Sequence, residues 1–298
     1  MTRLLSPERE TPVTPVPAKA GIGLKFEHIG EILETKPQIG WLEVHAENYM
    51  GDGGKPVELL EEIAHHYPVS VHGVGLSIGG ADDLDEAHLT RLKRLVDNVR
   101  PGLVSEHLAW CSIGGSHFSD LLPLPYTSEA LDIVCAHVDQ VQQFLGRQIL
   151  IENPSLYVAF EASEMGETDF LNALTRRTGC GLILDVNNVY VSASNIGYDA
   201  AGYIRDVDCS AVGEIHLAGH HLKQLGDRTL LIDDHASRVS DPVWDLYSTT
   251  LQRTSRIPTL IEWDNDVPSL DVLVDEAGKA DTILDSFFST EADHVRAA

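Results

Sequence analysis

Short apolar runs in this chain stop repeatedly at residues able to hold a cation or move a proton. His72 interrupts VSVHG, Glu106 and His107 interrupt LVSEHLAW, and Glu152 and Asn153 end ILIEN. Asp185, Asn187 and Asn188 close LILDVNN, His216 lies in EIHLAGH, Asp233 and His235 in LIDDHA, and Glu262 in TLIEWD. Singly, each has an ordinary explanation. A histidine inside an apolar strand is more often a hydrogen-bonded core residue than a ligand. An acid at a strand end commonly caps the next helix or makes a surface ion pair. Asn187-Asn188 alone would read as a turn. The set resists that reading. Gathering several ionised carboxylates in an interior costs many kcal/mol unless cations neutralise them. Imidazole with carboxylate is the ligand set of iron, zinc and manganese, so the pattern points to a metal site.

Such residues form one site only if the fold brings distant strand ends together. Strand-like runs begin at GIGLKF (from 21), GWLEVHAEN (40), VSVHGVGLSI (69) and LVSEHLAW (103). They continue with QILIEN (148), GLILDVNNVYV (181), GEIHLAG (213) and PTLIEW (258). Between them, apolar residues at three- and four-residue spacing predict helices over 57–67, 86–99 and 128–146. Later helices are expected over about 167–178, 198–207, 241–254 and 268–288. Thr127-Ser128 reads as the start of the third helix and Gly146 as its end. Buried strands alternating with amphipathic helices make βαβ units, hence an α/β fold with a parallel sheet. The rhythm predicts a (β/α)8 TIM barrel, whose functional groups collect at the C-terminal ends of strands. The competitor, an open doubly wound sheet, usually carries GxGxxG after a strand, and this sequence has none.

The 298 residues are 43% hydrophobic and 22% charged, as in a globular protein with a large core. Prolines at 7, 12, 15 and 17 mark residues 1–19 as a disordered or loosely packed tail. Residues 20–290 are expected to form one metal-binding barrel domain, and 291–298 a C-terminal tail. No stretch reads as a membrane helix or a secretory signal, so the expected location is the cytoplasm. A net charge of −25 disfavours nucleic acid, because phosphate contacts need a basic surface. Cys111, Cys135, Cys180 and Cys209 form no CxxC pair, which suits a reducing compartment; Cys135 and Cys180 read as core filler.

Strings such as GIGLKFEH, EVHAENYMG, HGVGLSIGG, SEHLAW, IENPS, LDVNNVYVSASN, IHLAGH and LIEWD resemble uncharacterised protein family 0276 (domain of unknown function 692). Some of its members are multinuclear non-heme iron-dependent oxidative enzymes. The resemblance spans about Gly21 to Phe288 and implies a barrel akin to xylose isomerase and endonuclease IV. It implies that His72, His107 and Glu152 hold a first metal, with Glu152 bridging to a second held by Asp185, His216 and Glu262. Glu152, Asp185 and His216 would be the catalytic set. Where the endonuclease IV pattern has Asp-x-x-His, this chain has Asp185-Val-Asn-Asn188, so Asn188, Asp233 and His235 imply a weaker third site. His45, Glu47, Asn48, Asn153, His220 and Asp264 would orient ligands or face substrate. Gly51, Gly53 and Gly54 suggest a flexible loop over the mouth.

The family further implies two or three iron ions of mixed Fe(II)/Fe(III) valence, with zinc or manganese as substitutes. The implied substrate is a ribosomal precursor peptide bearing cysteine, presented by an adjacent-gene leader-recognition partner protein. Its thiolate would bind one iron and dioxygen another, ahead of C–H cleavage. Nucleic acid and membrane are not expected partners, and oligomeric state has no signature in the chain. Three rivals share the fold: a phosphoester hydrolase, a sugar isomerase, and a metal-binding scaffold without activity.

Overall fold

The computed structural model describes residues 13–295; residues 1–12 and 296–298, parts of the expected tails, lie outside them. The strands are β1 (Ala20–Gly23), β2 (Leu42–His45), β3 (Val69–Gly73), β4 (Leu103–His107), β5 (Trp110–Ile113) and β6 (Ser116–Leu122). They continue as β7 (Leu150–Glu152), β8 (Gly181–Asp185), β9 (Val212–Ala218), β10 (His221–Leu225), β11 (Arg228–Ile232) and β12 (Thr259–Glu262). Eight of these close a barrel in the order β1-β12-β9-β8-β7-β4-β3-β2, with parallel neighbours throughout. The TIM barrel is therefore the fold. β5–β6 and β10–β11 are antiparallel hairpins that follow the C-terminal ends of β4 and β9.

The helices are α1 (Ile29–Thr35), α2 (Lys55–Ala64), α3 (Glu86–Val99), α4 (Ser128–Leu145) and α5 (Glu167–Thr178). Then come α6 (Val186–Ile196), α7 (Ala200–Asp206), α8 (Asp241–Leu251) and α9 (Leu270–Val295). Thr127 caps α4 by accepting from Ala130 N at 3.1 Å, and Gly146 ends it in the left-handed region at φ 71°. Among the described residues no helix is long and apolar enough to cross a membrane.

Two expectations about elements need correction. The strand read from 181 stops at Asp185, and VNNVYV is the start of α6. Asp185 has extended backbone, and its carboxylate accepts from Asn188 N at 2.6 Å, a helix cap that β-branched residues on either side concealed. The run from 69 likewise ends at Gly73, where the Glu47 carboxylate takes the next two backbone N–H groups. At the chain's ends, Lys19 O accepts from the Trp41 indole and Thr259 N, and α9 continues through 290 to Val295.

Alternation along each strand divides the side chains into two sets. On β9, Ile215 and Leu217 join the apolar layer beneath the helices, while Glu214 and His216 point into the lumen. Fully burying one Ile or Leu stabilises the fold by about 2 kcal/mol. An unpaired buried ion costs several times that. The lumen at the strand ends therefore demands a compensating charge.

Candidate metal centre

β3, β4 and β7 place His72, His107 and Glu152 around one point. Glu152 Oε2 lies 3.0 Å from His72 Nε2 and 3.2 Å from His107 Nε2, and the two ring nitrogens are 3.4 Å apart. The far sides of both rings are tied down. His72 Nδ1 meets Ser105 Oγ at 2.7 Å, and His107 Nδ1–H donates to Gly73 O at 3.0 Å. With protons on the Nδ1 atoms, both Nε2 lone pairs aim at the same gap.

Glu152 also faces the other way. Its Oε1 is 3.7 Å from His216 Nδ1 and 3.4 Å from Asn188 Nδ2. Donor atoms of Glu152, Asp185, His216 and Glu262 all lie within 4.8 Å of one another, and all four residues are buried. His235 adjoins this group, its ring held between Asp233 Oδ1 (2.8 Å) and Asp264 Oδ2 (2.9 Å), with Glu262 Oε2 3.5 Å away. Its backbone is left-handed, φ 48°, and is fixed by His235 N bonding Gly219 O and by Asp264 N bonding His235 O. Asn188 turns its Nδ2 to Asn153 O, leaving Oδ1 without a partner.

Charges in the cluster pull in opposite directions. Burial alone would raise the Glu152 carboxyl, yet His107, His216 and His72 hold it at about 2. Glu262 is likewise held well below the carboxylate range, chiefly by His235 against the effect of burial. Asp185 goes the other way, pushed well up by burial and by the charges of Glu152 and Asp233. Burial opposes charge on His216, but Glu43 and Glu152 force its proton affinity well above normal. Added positive charge would favour the ionised form of Asp185 and the neutral form of His216, the forms that ligate.

The donors fit a divalent transition-metal cluster. Glu152 Oε2, Asp185 Oδ2, Asn188 Oδ1, His216 Nδ1 and Glu262 Oε2 are all buried without a hydrogen-bond partner. A lone pair left bare in this way costs about 1–3 kcal/mol unless something accepts it, and a set of cations would accept all five. A cavity of about 160 Å³ opens beside Glu152, bounded by His45, Asp233 and His235, with Leu121 of β6 contributing an apolar wall.

The remaining candidates fall into place around these groups. His45 Nε2 is 3.7 Å from Glu262, and Asp264 binds Lys25 Nζ at 2.6 Å. Asn48 lines an adjoining cavity of about 190 Å³. Asn153 exchanges hydrogen bonds with the backbone of Asp185, fixing β7 against β8. His220 Nδ1 meets Asn187 Oδ1, and Asn187 Nδ2 donates to Asp233. Glu47 is not brought to the cluster; it faces Val74, Gly75 and His88.

Sequence reasoning missed three lumen residues. Ser105 supports His72, while Glu214 Oε1 (3.3 Å) and Glu43 Oε1 (3.5 Å) face His216 Nε2. The two-residue spacing in Glu214-Ile-His216 was a usable signal, since it puts both side chains on one face.

The chain matches, over residues 19–285, the family described as RiPP precursor modification enzyme MbnB/TglH/ChrH, where RiPP denotes a ribosomally made, post-translationally modified peptide. It belongs to that family. A UPF0276 protein of Paraburkholderia phytofirmans is 52% identical over 86% of this chain and 84% of its own length. Another, from Psychromonas ingrahamii, is 46% identical over 91% and 96%. Among solved structures, endonuclease IV from Thermus thermophilus superposes with TM-score 0.56 at 16% identity, covering 91% of this chain and 99% of that one. An IOLI protein with a bound zinc atom gives 0.55 at 13% identity, covering 91% and 99%. At such identities these two structures speak for the fold. Membership of the precursor-modification family makes this chain an enzyme of peptide tailoring, with its metal-ligand candidates gathered at the barrel mouth.

Proposed function

We propose that this chain is a multinuclear non-heme iron oxidase that uses dioxygen to modify a cysteine in a ribosomal precursor peptide. In this reading residues 20–290 form the single catalytic domain. His72, His107 and Glu152 hold one ion; Asp185, His216, Glu262 and the other oxygen of Glu152 hold a second; Asn188, Asp233 and His235 serve a third. Bound iron would supply a soft acceptor for the substrate thiolate and redox contact with dioxygen, the oxidant that leaves as water.

The observation that carries the reading is Glu152. One oxygen faces two imidazoles and the other faces His216, the geometry of a bridging carboxylate. Ser105 and Gly73 fix the rings, so little reorganisation is needed when a charge enters. The cavity beside Glu152 suits a small side chain, and Leu121 gives it an apolar wall. The hairpins and the loop after β7, which follow the C-terminal ends of barrel strands, expose Phe118, Val158, Phe160 and Leu222, an apolar rim suited to a peptide and a leader-recognition partner. A cytoplasmic setting would keep the substrate thiol reduced.

The test is to load the protein anaerobically with Fe(II), add the cysteine-bearing peptide, and admit oxygen. A mass change at cysteine that requires both iron and oxygen is expected, with none from zinc-loaded protein. An unaltered peptide at full iron occupancy refutes the reading. Nicking of abasic DNA, or turnover of a free sugar without oxygen, would transfer the site to the hydrolase or the isomerase.

A further inference from the structure

A second group of donors lies on the opposite face of β4. Ser105 and His107 point into the lumen, so Glu106 between them points outward, toward α3 and the short 3-10 turn Ala46–Tyr49. Glu106 is 2% exposed, and its Oε1 has no hydrogen-bond partner. The space it occupies exists because residue 73 is glycine: a Cβ there would sit 2.0 Å from that oxygen. Facing it are Glu47, from the turn after β2, and His88, from the first turn of α3.

His88 is buried, and its Nε2 lies at ion-pair distance, 3.2 Å, from Glu47 Oε1, without the alignment of a full hydrogen bond. Glu47 is already anchored, accepting from Gly75 N at 2.8 Å and from Val74 N at 3.2 Å. One donor atom each from Glu47, His88 and Glu106 lies within 4.8 Å of the others. Two carboxylates and one imidazole converge, the outermost carboxylate is hydrogen-bonded by backbone, and the innermost, through Glu106 Oε1, is an orphan. A ligating carboxylate is typically steadied by such outer hydrogen bonds. The buried bare oxygen of Glu106 calls for an acceptor of lone pairs, and the imidazole facing the same gap offers a second nitrogen donor.

We propose that Glu47, His88 and Glu106 hold a separate divalent transition-metal ion on the outer wall of the barrel. An N,O,O donor set suits zinc, iron or manganese. Metal–ligand bonds near 2.0–2.2 Å require the donors to draw together from their present spacing. The ion ties three elements at one point: the turn after β2, the start of α3, and β4 one residue before His107. It takes no part in the lumen chemistry. Its role is to fix the end of β4 from outside, so that His107 is held from both faces of the strand. The rival arrangement is a proton shared between Glu47 and Glu106, with no ion.

Zinc is the probe. Chelator-treated full-length protein is crystallised with excess zinc, and anomalous scattering is collected at the zinc edge. A peak among Glu47, His88 and Glu106 is expected, separate from any in the lumen. In solution, His88→Asn and Glu106→Gln should each carry one zinc fewer per chain than wild type. Glu152→Gln should lose zinc from the lumen while keeping the outer peak, so this site and the lumen reading fail independently. Glu106→Gln preserves shape if His88→Asn misfolds, and the wild-type diffraction peak needs no variant. A wild-type map without that peak at saturating zinc, with unchanged stoichiometry in both outer variants, overturns the proposal in favour of the shared proton.

Discussion

Replacing Ser105 with alanine tests how the cluster aims its ligands. Ser105 Oγ and His72 Nδ1 are 2.7 Å apart, and both residues are fully buried. No water can substitute without new space, so Ser105→Ala leaves a ring nitrogen bare, at a cost of about 1–3 kcal/mol in stability. The second effect is on binding. The hydroxyl holds the proton on Nδ1 and keeps the Nε2 lone pair toward Glu152, 3.0 Å away. Partners of this kind are worth roughly 10–100-fold in metal affinity, which converts to about 1.4–2.8 kcal/mol. Competition against a chromophoric chelator measures the affinity, and urea unfolding of metal-free protein measures the stability. One ion should bind roughly 10–100-fold more weakly while the others hold. Ser105→Thr, which keeps the hydroxyl, should recover most of the loss. Wild-type affinity in Ser105→Ala, or equal weakening at every ion, would refute the claim that this hydroxyl orients His72.

Three further outcomes are expected. Asn188→His exchanges a neutral amide oxygen for imidazole, so the third ion should survive desalting at limiting metal, as read by metal content per chain. Glu167, held by the Tyr126 and Tyr203 hydroxyls, is raised by burial to about 7. Because the folded state then binds the proton more tightly than the unfolded state, its contribution is full below pH 4.5 and declines through about 7. The whole drop is about 2 kcal/mol after allowance for partial exposure; Glu167→Gln should remove that pH dependence in urea titrations. Phe118→Ser with Leu222→Ser, on hairpin residues 42% and 70% exposed, should change stability by no more than about 0.5 kcal/mol. The same pair should weaken binding of the cysteine-bearing peptide roughly tenfold by calorimetry, if the rim supplies anchors worth about 1 kcal/mol or more.

The barrel was legible because each of its strands is a short apolar run, and the site because ionisable residues interrupt those runs near their ends. His72, His107, Glu152, Asp185, His216 and Glu262 were all visible on that ground. What escaped depended on register. Ser105 carries no charge, and only the alignment of β3 with β4 sets it opposite His72. Glu106 looked like part of the His107 signal, although adjacent residues on a strand point to opposite faces. Helix α6 was hidden because Val186, Val189 and Val191 suit a strand as well as a helix, and the deciding feature was the cap formed by Asp185. The hairpins β5–β6 and β10–β11 pack few side chains, so no apolar periodicity announced them.

His235 sits in a backbone conformation that costs a non-glycine residue about 1–2 kcal/mol. Two main-chain hydrogen bonds, His235 N to Gly219 O and Asp264 N to His235 O, hold that conformation, while Asp233 and Asp264 hold the ring it presents. Among the ligand candidates, this one is fixed through both its ring and its main chain. Its position is settled when the chain folds, so an arriving ion meets a ligand that needs no further ordering.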